Sequence, residues 1–241
     1  MIATPAFCAP LAFAMPLALA WPTLLSALAL PLAAYLMGAI PVGVIIAHAK
    51  GIDLRQRGSG NVGATNVGRV LGRKWGYLCF LLDVAKGLLP VLAAGFILRR
   101  HHQPLTTLQQ VLWLSVALGA VLGHVFSLFL RFHGGKGVAT SLGVVLGFWP
   151  YFTLPGLAAF ALWIAVTLIW RYVSLGSVVA AGAFPLLFLA TARLAGWTVS
   201  DMLPLLTFAI LMALLVILRH RANLRRLLRG QENKIARRRG G

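Results

Sequence analysis

Gly137-Val138-Ala139-Thr140-Ser141-Leu142-Gly143-Val144-Val145-Leu146-Gly147-Phe148-Trp149-Pro150 is the stretch that decides the fold. It is mostly apolar but only 14 residues long, whereas a spanning helix needs about 20. On length alone it reads as short, tilted or re-entrant. Whether it crosses a bilayer sets the side on which every later loop lies.

Six longer apolar runs surround it, near 24–47, 75–98, 108–130, 155–169, 175–192 and 203–218. If all seven stretches cross and the N-terminus lies outside, the inside segments are 48–74, 131–137, 170–174 and 219–241. Those segments hold 18 of the 22 basic residues, against three outside (Arg99, Arg100, Arg193) and Lys86 within a helix. Such a one-sided excess is the positive-inside pattern. Without the short stretch as a crossing, the nine-charge tail would face outward. The expected fold is therefore an all-α integral membrane protein with about seven transmembrane helices, N-terminus outside and C-terminus cytoplasmic.

Composition agrees. Of 241 residues, 60% are hydrophobic and 11% charged, with mean hydropathy +0.87; soluble domains are about 25% charged. A water-soluble globule is excluded, and so is a disordered basic chain, which would be poor in apolar residues. A net charge of +18 would suggest nucleic acid in a soluble protein. Here the charge forms a layer along one face, and no nucleic-acid partner is expected. The carboxylates are Asp53, Asp83, Asp201 and Glu232. So few exclude a calcium cage, a di-iron carboxylate site and a paired-carboxylate glycosidase. Cys8 and Cys79 stand in apolar surroundings with no metal spacing and read as inert buried thiols. Neither a metal nor a cofactor is expected. Three parts are expected: residues 1–23, an uncharged, proline-punctuated extension; 24–218, the membrane domain; and 219–241, a basic cytoplasmic tail. A signal peptide is not expected in the first, which lacks a basic start.

Four segments share the basic face. Gly58-Ser59-Gly60-Asn61-Val62-Gly63-Ala64-Thr65-Asn66 is small and polar and precedes Arg69, Arg73 and Lys74; such a run lets backbone N–H groups converge on an anion. Its alternative is a loop touching lipid headgroups. Gly134-Gly135-Lys136-Gly137-Val138-Ala139-Thr140 feeds a glycine-rich turn into an apolar helix, an anion site with Lys136 as its charge, without being a Walker A loop. An interfacial turn with a snorkelling lysine is the alternative. Arg171-Tyr172-Val173-Ser174-Leu175 says little alone. In the tail, a continued last helix would place His220 and Asn223 on one face, with Arg226 following; a basic amphipathic helix on anionic lipid is the plainer reading. Asp83 and Lys86, three apart in an apolar run, read as a structural ion pair, with support of the basic cluster as the alternative. His48 and Asp53 share the H-x-x-x-x-D spacing of an unrelated acyltransferase family, a coincidence at this position.

Together these segments offer phosphate-binding groups, one histidine, amides and hydroxyls, but no Ser-His-Asp set. The Gly58–Asn66 run with Arg69, the stretch from Gly123-His124 through Thr140, the Arg171–Leu175 run, the His220–Glu232 tail, and Leu82-Asp83 with Lys86-Gly87 resemble the bacterial acyl-phosphate:glycerol-3-phosphate acyltransferase (PlsY) family over about residues 30–235. Val62 departs from the family's usual proline, which is expected to loosen that loop without removing a ligand.

The resemblance implies a seven-helix bundle in the bacterial inner membrane with a cytoplasmic active site. It implies acyl transfer from acyl phosphate to the 1-hydroxyl of glycerol 3-phosphate, the first step of phospholipid biosynthesis, giving lysophosphatidic acid and phosphate. Ser59, Arg69, Lys136, His220 and Asn223 are expected to line the joint site. Gly134, Gly135, Gly137 and Thr140, with Lys136, would take the glycerol 3-phosphate phosphate. Gly58, Gly60, Asn61, Gly63, Thr65 and Asn66, with Arg69, would engage acyl phosphate; Ser174, Ser177 and Arg221 complete the expected binding set. Expected partners are both substrates, membrane lipids and, functionally, the enzyme that supplies acyl phosphate. The donor's own phosphate is favoured over His220 as the base, because no carboxylate is evident to raise the basicity of His220. A transporter and a lipid-binding scaffold are the rival readings. No repeat symmetry and a single intramembrane acid, Asp83, argue against the transporter.

Overall fold

The computed structural model describes residues 17–98, 105–198 and 200–235, with backbone alone for 17–26. Cys8 and the beginning of the N-terminal extension lie outside the described residues. Among these residues every regular element is helical: α1 (Leu17–Ala39), α2 (Val42–His48), α3 (Ala64–Leu71), α4 (Arg73–Leu98), α5 (Thr107–Val125), α6 (Val138–Gly147), α7 (Thr153–Trp170), α8 (Val173–Leu194), α9 (Leu203–Arg219) and α10 (Arg221–Leu228). Helix is the form that satisfies backbone N–H and C=O groups within each segment in hydrocarbon. Residues 17–23, read from sequence as extension, are already helical.

Five segments are long and apolar enough to span: Ala27–His48, Arg73–Leu98, Thr107–Leu130, Thr153–Trp170 and Val173–Leu194; α9 with α10 makes a sixth if that bent pair is one span. Outward side chains such as Leu28, Phe96 and Leu168 are more than 70% exposed, as lipid-facing residues are. The chain is an all-helical integral membrane protein.

Three features differ from the continuous runs read in the sequence. The first run breaks between α1 and α2, because Pro41 has no N–H to continue the ladder. Side chains take up carbonyls at the break: Ser127 Oγ donates to the Ala39 carbonyl at 2.5 Å and Lys86 Nζ to the Ile40 carbonyl at 2.8 Å. The short stretch forms only α6, ten residues or about 15 Å, half a bilayer core. The last helix does not continue straight through His220; α9 and α10 meet there at a bend of 56°.

Helix α6 packs along α4, α1 along α5, and α8 between α7 and α9. The α4–α6 contact is backbone to backbone: a Cβ on Gly87 would strike the Thr140 carbonyl, and one on Gly143 the Val84 carbonyl. This close approach brings the glycine-rich loop before α6 beside Asp83 on α4. At the other end of α6, Phe148 and Phe152 are fully buried; Phe148 stacks on Trp113 at 3.9 Å, and Phe152 meets Phe184, Phe188 and Phe208. This aromatic layer lies away from the basic loops.

Candidate active site

The Gly58–Asn66 loop is organised by its last residue. Asn66, 1% exposed, accepts the Ser59 N–H through Oδ1 at 2.8 Å and donates through Nδ2 to the Asn61 and Arg57 carbonyls at 2.8 and 3.0 Å. Asn61 Oδ1 accepts the Gly63 N–H at 2.9 Å. Gly58 and Gly60 adopt positive φ, which this tight path requires. Val62 is buried, and its carbonyl lies against Gly43. The loop ends at α3, which carries Arg69 on its exposed side.

The Gly134–Thr140 loop closes the end of α5. Gly134 and Gly135 donate N–H to the Val125 and His124 carbonyls at 3.1 and 3.0 Å, partnering acceptors that a helix end leaves open. Gly137, at φ +85°, turns the chain into α6. Lys136 is half-buried, and its Nζ donates to Asn223 Oδ1 at 2.6 Å.

Asn223 continues the chain of contacts. Its Nδ2 donates to Glu232 Oε1 at 2.6 Å; Ser174 Oγ donates to the same oxygen at 2.9 Å, and Arg226 Nε to Oε2 at 2.7 Å. Burial alone would raise the Glu232 pKa, but these donors hold it below the usual carboxylate range. Residue 235 pairs back to the turn before α8: the Ile235 N–H donates to the Arg171 carbonyl, and the Arg171 guanidinium to the Ile235 carbonyl. The tail thus straps α10 to that turn.

Ser59, Arg69, Lys136, His220 and Asn223 all line one cavity, and Asn61, Gly63, Thr65, Asn66, Gly137, Ser174 and Ser177 line it with them. Ser177 Oγ accepts from Trp163 Nε1 at 3.1 Å and donates to the Val173 carbonyl at 2.8 Å. Gly58, Gly60, Gly134, Gly135 and Thr140 do not line it: Gly58 and Gly60 are exposed, Gly60 and Gly134 border a separate groove, and Thr140 is fully buried. Arg221 is exposed and borders a neighbouring groove with Phe126, Leu218 and Arg219. Asp83, His124, Arg226 and Glu232 line the cavity too; from sequence, support of the basic cluster is the alternative role of Asp83 and Arg226 follows His220 and Asn223, while His124 and Glu232 stand only as parts of their motifs. His48 is exposed, and Asp53 spends its carboxylate on the Arg55 N–H of its own turn at 3.0 Å.

The cavity is cationic. Burial, with the charges of Arg226, Arg69 and Arg219, pushes Lys136 down to about 8 against the opposing pull of Glu232. Burial likewise pushes His220 down to about 4, aided by Lys136 and Arg219. Its Nδ1 lies 2.8 Å from the Val216 carbonyl; that contact needs the proton on Nδ1, so Nε2 is an acceptor. Among the described residues no three His, Cys, Asp or Glu side chains gather as a metal site.

Beside this polar cavity lies an apolar one, joined through the shared residues Phe80, Val138, Trp163 and Ser177. Small residues of α7, α8 and α9 (Ala159, Ala181, Ala213) line its length, and Phe184 and Phe208 close its far end.

A helical membrane chain whose phosphate-suited cavity opens into an apolar groove has the architecture of an integral membrane enzyme acting on lipid precursors. The glycerol-3-phosphate acyltransferase family profile matches residues 28–230. The chain is 46% identical over 208 residues to the glycerol-3-phosphate acyltransferase of Geotalea daltonii, covering 86% of this chain and 97% of that one. It is 44% identical to that of Aquifex aeolicus, covering 87% and 100%. The crystal structure of PlsY (YgiH), an integral membrane glycerol 3-phosphate acyltransferase, in its glycerol 3-phosphate form superposes with TM-score 0.73 at 42% identity, over 88% of this chain and 96% of that one. Its lysophosphatidic acid form gives 0.71 at 41%, with the same coverage. The chain belongs to the glycerol-3-phosphate acyltransferase family and is an acyltransferase of phospholipid biosynthesis.

Proposed function

We propose that the protein transfers an acyl group from acyl phosphate to the 1-hydroxyl of glycerol 3-phosphate, releasing lysophosphatidic acid and inorganic phosphate. The observation that carries this is the single cavity lined by Ser59, Arg69, Lys136, His220 and Asn223, continuous with an apolar groove that suits an acyl chain. Glycerol 3-phosphate sits with its phosphate at Lys136 and the Gly134–Thr140 loop. The donor phosphate sits by Arg69 and the Gly58–Asn66 loop, at the amide end of α3.

Acyl phosphate is already activated, so no enzyme nucleophile is needed. The glycerol oxygen attacks the acyl carbon, the carbon–oxygen bond to phosphate breaks, and the hydroxyl proton passes to the departing phosphate. His220, held neutral by burial, is a weak base; its Nε2 suits orienting the hydroxyl, with Asn223 beside it. The protein's contribution is to juxtapose two anions and to stabilise charge on the carbonyl and leaving oxygens.

The one-sided charge supports a seven-crossing topology in the inner membrane, with the basic cavity facing the cytoplasm. In that topology α6 completes its crossing through the turn anchored by the buried Phe148 and Phe152, irregular backbone being tolerated where protein covers it. Membrane lipids surround the helices, and the enzyme that makes acyl phosphate is the functional neighbour. The test is purified protein with both substrates: formation of lysophosphatidic acid with equimolar phosphate is expected. Neither product forming, with folded protein, overturns the assignment.

A further inference from the structure

We propose that Asp83 and His124, buried between α4 and α5, are positioning residues that set the Gly134–Lys136 loop for glycerol 3-phosphate. This rests on the assignment of that loop to the substrate's phosphate. Asp83 is 2% exposed and His124 8%. Ionisable groups at this depth are costly and are seldom retained without a use. Lys86 Nζ lies 2.9 Å from Asp83 Oδ1 and also donates to the Ile40 carbonyl exposed by the Pro41 break. A self-contained ion pair would need no more. Yet the same Asp83 oxygen lies 3.6 Å from His124 Nδ1, a close polar contact at the imidazole's other edge from the loop.

That imidazole is the surface against which the loop is laid. A Cβ on Gly135 would collide with His124 Nε2, and one on Gly134 with the His124 carbonyl oxygen. The same carbonyl accepts the Gly135 N–H. The Arg219 guanidinium donates to the Gly135 carbonyl at 3.1 Å. Gly135 thus touches both a histidine ring and an arginine, and Lys136 is the next residue. Any rotation of the ring moves the base of Lys136. Asp83, tethered through Lys86 to the broken first helix, is the group placed to stop that rotation.

The test separates positioning from simple support by reading each substrate. In His124→Phe, which keeps a ring but loses Nδ1, the KM for glycerol 3-phosphate is expected to rise about tenfold, because small misplacements of a binding group are costly. The KM for acyl phosphate is expected to stay within about threefold, since its loop is built separately. Asp83→Asn is expected to show the same split. Should that variant not fold, a double-mutant cycle leaves the Asp83–Lys86 pair in place. Gly135→Ala alone collides with the ring, and adding His124→Ala removes the obstacle. The double variant is expected to have a lower KM for glycerol 3-phosphate than Gly135→Ala. Losses that multiply in the cycle, or KM values for both substrates that rise together, overturn the proposal. Lys136→Ala is the control. If it raises the KM for glycerol 3-phosphate while the His124 variants do not, this inference alone fails. If Lys136→Ala leaves that KM unchanged, the phosphate-loop assignment fails first.

Discussion

Two glycine-rich loops border the cavity, and they are held in opposite ways. Gly58–Asn66 is tied by a residue of its own: Asn66 fastens the Ser59 N–H and the Arg57 and Asn61 carbonyls within ten residues of itself. Gly134–Thr140 has no such internal knot. Its amides rest on the end of α5, Arg219 of α9 grips its carbonyls, and Lys136 is met by Asn223 of α10. One loop is a local structure that lines the cavity; the other is assembled from three helices and has no shape without them. They are therefore expected to fail differently, the first through its own backbone and the second through its neighbours or its charge.

The largest effect expected is at the charge of the assembled loop. Lys136→Ala removes the only cation that the loop itself carries and leaves Asn223 Oδ1 without its donor. Charge-assisted contacts to phosphate contribute about 1.5–3 kcal/mol, so the KM for glycerol 3-phosphate is expected to rise by about 10- to 100-fold. The KM for acyl phosphate is expected to change much less; steady-state kinetics with each substrate varied in turn measures both. Equal changes in the two would erase the distinction between the loops.

Asn66→Leu attacks the self-tied loop and should act on the other substrate. The side chain keeps its branched shape, though it is bulkier, and leaves the part-buried Ser59 N–H and the Arg57 and Asn61 carbonyls without their partner, at a cost of up to about 1–3 kcal/mol per group. The kcat/KM for acyl phosphate is expected to fall about tenfold or more, with a lowered Tm reporting the lost bonds. Asn66→Asp, which retains an acceptor for the Ser59 N–H, is expected to lose less than Asn66→Leu. If Asn66→Leu impairs glycerol 3-phosphate use alone, the assignment of this loop to the donor is wrong.

The same contrast explains what the sequence shows plainly and what it conceals. Long apolar runs declare the spans, because hydropathy is a local property. The break at Pro41 lies inside such a run, where average hydropathy stays high while one missing N–H interrupts the ladder. The first loop's residues are contiguous, so their joint action is legible. The partners of the second are not: Lys136 meets Asn223 87 positions away, and Ser174 meets Glu232 58 away. Scarce carboxylates fit a site for two anionic substrates, yet two of the four, Asp83 and Glu232, border the cavity. Each is compensated at its own position, Asp83 by Lys86 and Glu232 by Arg226, so they shape the site without cancelling its cations. The Asp83–Lys86 pair is legible from its spacing of three, whereas the Ser174 that meets Glu232 from 58 positions away arrives only through the fold.

The smallest effect expected is the sharpest test of the assembled loop, because it changes a titration rather than a contact to substrate. Lys136 holds a phosphate only when protonated, and its pKa in the free protein is pushed down to about 8. The substrate's phosphate, with a second pKa of about 6, is already a dianion above neutrality. The KM for glycerol 3-phosphate should therefore be flat between about pH 7 and 8 and rise above it, by up to about tenfold per pH unit. Lys136→Arg, whose guanidinium stays charged, should remove that rise even if its baseline KM is worse. The Glu232 carboxylate is the charge that lifts the Lys136 pKa, acting across Asn223. Glu232→Gln should accordingly move the rise to lower pH while raising the KM at neutral pH by only a few fold, about the worth of one weakened hydrogen bond. A rise that stays in place in Glu232→Gln, or moves to higher pH, would show that Lys136 is set by its own loop after all, and the two loops would then be held alike.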